Sequence, residues 1–162
     1  MSYKFGPAGG VGGSPYDAPY PTVPAPGNPF GISAMQGRSG DRIDQIQVVW
    51  QGAGGGGESP PFGGGGGQPF RFDIPPGERL AQIVGSVGAY NGSVRLFSIQ
   101  FITNVGTAST VYGKATSDAF SFQCPPNYVV TGIFGRADKE VDAFGVYIAS
   151  TQKETTSRSP AS

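Results

Sequence analysis

The chain has 162 residues, 11 basic and 11 acidic, so its formal net charge is zero. That balance supplies neither the basic footprint that nucleic acid requires nor a polybasic patch for an anionic membrane. There is no His and a single Cys, Cys124, which removes Ser-His-Asp and Cys-His chemistry, most zinc sites and any internal disulfide, and calls for no cofactor.

The length suits one domain with a real core. We assign it to residues 1–150, with 151–162 expected as a flexible tail. Met1 leads into polar, Gly-rich sequence without the apolar region of a signal peptide. No apolar run reaches the roughly 20 residues of a membrane span. The expected location is the cytoplasm, with export by an unconventional route left open. The 28 Gly and 15 Pro approach the density of low-complexity sequence. Over residues 30–150, however, they stand between apolar runs of period two, so they punctuate strands.

Taken in order, Tyr3 to Ser14 reads as a first strand and a Gly-rich turn. Residues 15–29 carry prolines at 15, 19, 21, 24, 26 and 29. Proline donates no ladder hydrogen bond, so this segment is expected as a surface insertion and not a central strand. Phe30 to Gln36 and Ile43 to Trp50 read as a hairpin around Gly37-Arg38-Ser39-Gly40. On the second strand, alternation would place Ile43, Gln45, Gln47 and Val49 on one side and Asp44, Ile46 and Val48 on the other.

Gly52 to Gly67 is a second Gly-rich loop. Phe70 to Ile74 alternates as a strand, and Pro75-Pro76-Gly77-Glu78 is a turn. Leu80 to Gly85 follows, with Leu80, Gln82 and Val84 expected on one face. Val94 to Thr103, Thr110 to Gly113, Ala119 to Phe122, Tyr128 to Phe134 and Val141 to Ser150 complete an all-β chain. No amphipathic helix is evident.

Three stretches share one plan, a turn feeding an alternating strand: Gly40 to Val49, Gly88 to Ile99 and Gly135 to Tyr147. Aligning Asp44, Arg95 and Asp142 gives a spacing of about 50 residues, the range of internally repeated folds. An Asp near a Gly-bearing turn sets a fixed carboxylate beside backbone N–H groups, a polar socket for a small hydroxylated ligand.

In this order, the segments Gly9-Gly10-Val11-Gly12-Gly13-Ser14, Arg38-Ser39-Gly40-Asp41-Arg42-Ile43-Asp44-Gln45-Ile46, Phe62 to Gly67, Ile74 to Glu78, Leu96 to Asn104, Tyr112-Gly113 and Gly132 to Tyr147 resemble the jacalin-related lectins, over about residues 3–149. The resemblance implies the β-prism I fold: three four-stranded Greek-key sheets with pseudo-threefold symmetry. It also implies sugar binding at one end of the prism. There a Gly-x-x-x-Asp loop supplies a carboxylate and N–H groups, and a facing Gly-rich loop supplies another N–H. A carboxylate accepting two hydroxyls makes charge-assisted hydrogen bonds.

Two such sites carry over. One comprises Gly40, Asp41, Arg42, Ile43 and Asp44, facing Gly66 and Gly67. The other comprises Asp138, Lys139, Glu140, Val141 and Asp142, facing Gly13. In the second, Asp138 stands where the family has Gly. The third repeat has Arg95 in the aspartate's place, so no comparable site is expected there. The resemblance thus implies a non-catalytic lectin for mannose- or glucose-containing glycans, forming a dimer or tetramer. An alternative is a structural or protein-interaction prism with decayed sugar sites, suggested by Asp138, Arg95 and the Pro-rich segment.

Overall fold

The computed structural model describes residues 2–20, 31–50 and 57–151. The expected insertion from residue 21 onward, the Phe30 strand start, the Gly-rich loop over 51–56 and the tail from 152 lie outside the described residues. The described chain forms thirteen strands, in three antiparallel sheets.

The first sheet joins both ends of the described chain. Its order is β1 (Ser2–Gly9), β13 (Val141–Ser150), β12 (Tyr128–Ala137), β2 (Ser14–Ala18). The second runs β5 (Gly57–Glu58), β4 (Ile43–Trp50), β3 (Ile32–Ser39), β7 (Gln68–Asp73), and β6 (Phe62–Gly63) also pairs with β4. This is a four-strand path with a fifth short strand beside it. The third runs β10 (Tyr112–Gly113), β9 (Ser93–Thr103), β8 (Leu80–Tyr90), β11 (Asp118–Gln123).

The inner faces share one core. Ile43, Ile46, Ile83, Leu96, Ile99, Phe101, Ile133 and Phe144 are fully buried. Each such side chain contributes about 1.5–3 kcal/mol by leaving water. Trp50 is tied across the core by its Nε1–H, which donates to the Thr131 carbonyl at 2.9 Å.

Several sequence expectations are corrected here. Pro15 belongs to β2, which pairs with β12 while Tyr16 and Ala18 turn into the core. β2 is the edge of its sheet, where a missing N–H is tolerated. The first hairpin turns at 40–42, not at Gly37, because Gly37 to Ser39 stay paired with β4 and β7. Simple alternation fails on two strands because each holds a β-bulge. One lies between Leu80 and Gln82, so Ile83 and not Val84 is buried. The other lies between Arg38 and Ser39, where Asp44 is the extra residue, so Ile43 and Ile46 both face inward.

That second bulge recurs in every sheet. In the first, Arg136 pairs with Ala143 and Ala137 with Val141, leaving Asp142 extra. In the third, Ser86 pairs with Ser98 and Val87 with Leu96, leaving Phe97 extra. The counterpart of Asp44 and Asp142 is therefore Phe97, not Arg95. The β8–β9 hairpin continues four residues further on each strand to an Asn91-Gly92 turn, whose positive φ values of 50° and 80° suit a tight hairpin.

At this end of the prism the sheets interlock in a ring. Gly10 packs on Val94, Gly64 on the Lys139 backbone, and Lys114 pairs with Asp41 at 3.0 Å.

Candidate functional site

The three sheets present three equivalent loops beside the three bulges: Gly9 to Gly13, Gly63 to Gly67, and Gly113 to Ser117. Each is registered by one backbone bond to the bulge residue. Gly10 N donates to Asp142 O (2.9 Å), Gly64 N to Asp44 O (2.8 Å) and Lys114 N to Phe97 O (3.0 Å). The bulge pushes the intervening side chain out of the pleat and toward the loop.

In two of the three cases that side chain is a carboxylate. A methyl group built on Gly13 would lie 2.7 Å from Asp142 Oδ2, and one on Gly12 would lie 3.3 Å from Oδ1. At the other site, methyls on Gly67 and Gly66 would lie 2.7 Å from Asp44 Oδ2 and Oδ1. Gly13 and Gly67 share the left-handed conformation, at φ 68° and 67°. Only glycine meets both demands.

Sequence reasoning missed two residues that hold these loops. Arg136 donates from Nε to Gly12 O (3.0 Å) and from Nη2 to Gly13 O (2.8 Å). Arg38 donates from Nε to Gly65 O (3.1 Å) and Gly66 O (3.0 Å), and from Nη2 to Gly67 O (2.9 Å). The signal was available: Arg precedes Asp by six positions in both repeats. In the third repeat Ser86 replaces the Arg and accepts from Thr116 N at 2.9 Å.

The turns are equivalent too. Gly40 N donates to Arg42 O (3.0 Å) and Asp138 N to Glu140 O (2.9 Å). Neither Gly40 nor Asp138 has a positive φ, so the family's Gly is replaced here without backbone strain. Asp138 instead adds a carboxylate to an open cleft lined by Gly12, Gly13, Ser93, Arg95, Lys139 and Asp142.

The remaining site residues divide by side chain. Ile43 and Val141 are core, so only their backbone faces the loops. Asp41 pairs with Lys114 on the exposed surface, an interaction worth little. Arg42 and Glu140 meet each other, with Nε to Oε1 at 2.7 Å and Nη2 to Oε2 at 3.0 Å. The Arg42 guanidinium lies 3.5 Å over the Tyr90 ring. Arg95 reaches Glu140 at 3.4 Å and Asp142 at 3.8 Å.

Electrostatics follow from this crowding. Burial first, then the Glu140 charge, raise the Asp44 carboxyl against the partial opposition of Arg42 and Arg38. Burial likewise raises Asp142, Arg95 opposes it, and Asp138 and Glu140 add to the rise. Burial also acts to raise Glu140, but the hydrogen bonds and charge of Arg42, with Arg95, hold it below the ordinary value. Among the described residues, no three of Cys, Asp and Glu stand together as a metal-ligating group.

Known proteins resemble this chain in sequence and in fold. The family model for the jacalin-like lectin domain matches residues 5–147. A mannose/glucose-specific lectin of Parkia platycephala is 40% identical over 88 residues, covering 52% of this chain but only 19% of that much longer protein. Horcolin of Hordeum vulgare is 30% identical over 156 residues, covering 90% of this chain and 95% of its own length. Among solved structures, Malaysian banana lectin superposes with a TM-score of 0.78 at 29% identity, covering 93% of this chain and 99% of its own. A mannose-binding jacalin-related lectin from Ananas comosus gives 0.77 at 26% identity, covering 92% of this chain and 98% of its own.

Proposed function

The chain belongs to the jacalin-like lectin domain family, and from that premise we propose that it is a non-catalytic lectin for mannose- or glucose-type glycans, with sites at Asp44 and Asp142. One observation carries the assignment: the same constellation is built twice. A bulged aspartate faces two glycines held from behind by an arginine, at Asp44, Gly66, Gly67 and Arg38, and again at Asp142, Gly12, Gly13 and Arg136. Each carboxylate offers acceptor lone pairs to two sugar hydroxyls, and the glycine loop offers N–H donors where a side chain would obstruct. The mannose/glucose lectins and mannose-binding structures among the relatives support the choice of sugar.

The Phe97 site has no carboxylate and is not included. The decayed-site alternative draws on Asp138, Arg95 and the Pro-rich segment, most of which lies outside the described residues. Asp138 fits its turn without positive φ, which weakens its support, whereas Phe97 in the aspartates' place still leaves the third repeat without a carboxylate. A shallow monosaccharide site binds at about millimolar strength, roughly −4 kcal/mol. We therefore include a dimer or tetramer in the proposal, because linked sites raise avidity without new contacts.

A glycan-array screen of the wild type beside Asp44→Ala and Asp142→Ala tests this. Signal on mannose-type glycans, lowered by each substitution, is expected. A folded wild type that gives no signal on any glycan would sink the lectin assignment.

A further inference from the structure

We propose that Glu140 is a positioning residue of the Asp142 sugar site: it draws Arg95 off the aspartate, so that losing its charge weakens that site. The proposal rests on Asp142 being a sugar acceptor.

Glu140 occupies the turn between Asp138 and Asp142, and its two cationic partners come from the other two sheets. Arg42 arrives from the 40–42 turn and makes a two-pronged pair at 2.7 and 3.0 Å. Arg95 arrives from the long β8–β9 hairpin at 3.4 Å. The side chains of Arg42, Glu140 and Arg95 are only 16%, 12% and 20% exposed. Charges this shielded feel one another far more than surface charges do.

Arg95 has a second carboxylate within reach. Its Nε lies 3.8 Å from Asp142 Oδ1, too long for a hydrogen bond, and donates instead to the Ser93 hydroxyl at 3.2 Å. Arg42 is held by Glu140 and by the Tyr90 ring beneath it. With Glu140 neutral, the anions left beside Arg95 are Asp142 and Asp138, which line the same cleft. An aspartate accepting from Arg has filled the lone pairs that sugar hydroxyls need.

Glu140→Gln keeps the shape of the side chain, and a melting curve verifies its fold. Calorimetric titration with methyl α-mannoside in an Asp44→Ala background isolates the Asp142 site, and an Asp142→Ala background isolates the Asp44 site. Glu140→Gln is expected to weaken the Asp142 site by about tenfold, the effect of moving one charge-assisted contact. Adding Arg95→Gln then returns that site to within about threefold of its starting affinity. Unchanged affinity at the Asp142 site, or no recovery with Arg95→Gln, overturns the proposal.

A ligand-free measurement separates this from the sugar assignment. Removing the Glu140 charge by itself lowers the Asp142 midpoint, so carboxyl-carbon NMR titrations compare two backgrounds: Glu140→Gln is expected to lower that midpoint more when Arg95 is present than in an Arg95→Gln background. That difference in a protein that binds no mannoside retains the Glu140 role and removes the sugar assignment. Equal lowering in the two backgrounds removes the Glu140 role, whatever the protein binds.

Discussion

The Arg136 Nε–H meets the Gly12 carbonyl at 3.0 Å, and this bond decides which way the next N–H points. In a trans peptide the C=O and the following N–H are antiparallel. With the Gly12 oxygen turned to Arg136, the Gly13 N–H points to the opposite side of the loop. Arg38 and Gly66 repeat the relationship at 3.0 Å, orienting the Gly67 N–H. The arginines need not touch ligand to decide whether the loop donates to it.

Arg136→Met is therefore expected to weaken mannoside binding at the Asp142 site by about tenfold, equivalent to about 1.4 kcal/mol, and to leave the Asp44 site intact. Arg38→Met is expected to do the reverse. Titrations in the single-site backgrounds read both, and equal losses at both sites from one arginine would contradict the local role.

Gly13→Ala and Gly67→Ala each place a methyl 2.7 Å from a carboxylate oxygen, in a backbone of φ near +68°. Each should eliminate its own site and cost about 1–3 kcal/mol of stability through left-handed strain. Gly40→Ala is the contrasting control. Its methyl would find Gly67 Cα at 3.6 Å and Asp44 Oδ2 at 4.0 Å, ordinary contacts, without positive φ. Urea melts should show little change for it.

The raised carboxyls of Asp44 and Asp142 give a pH dependence with a definite sign. Sugar binding needs the charged acceptor, so affinity falls on acidification through midpoints above the ordinary 3.8. For stability the sign is opposite. A carboxyl raised in the folded state contributes stability below its unfolded midpoint and loses it as pH rises through the folded one. At pH 7 both aspartates therefore burden the fold. Asp44→Asn and Asp142→Asn should raise Tm by roughly one or two degrees at pH 7 and by nothing near pH 3, while weakening binding. Melting curves across pH check this.

Phe101 is fully buried and stacks near Phe70 and Phe72, with Tyr112 tilted against it. Phe101→Ala should cost about 3–5 kcal/mol, read by denaturant melts.

Much of this was legible in the sequence. The Gly and Pro punctuation outlined the sheets, and the motif segments located Asp44, Asp142 and the glycine loops. What was not legible traces to bulges. Period-two alternation assumes an unbroken ladder, and one extra residue at Asp44 moved Ile43 to the core side. The same blindness aligned Arg95 with the aspartates. The third hairpin is longer, so a count from its turn lands two residues before Phe97, the true bulge. Arg38 and Arg136 went unassigned because a basic residue before a turn usually signals only solvation. Their shared six-residue offset from an aspartate was the clue. The Arg42–Glu140 pair spans 98 positions, beyond the reach of local pattern.

The two constellations also differ in when they can exist. Everything at Asp44 lies between Arg38 and Gly67, within one sheet. The one at Asp142 needs Gly12 and Gly13 from the beginning of the chain and Arg136 to Asp142 from near its close, with β13 slotted between β1 and β12. On a ribosome, the first set of groups emerges together. The second awaits β13, because a contact so distant in sequence is the last to be closed. One constellation is thus local in sequence, and the other is a clasp between segments more than 120 residues apart.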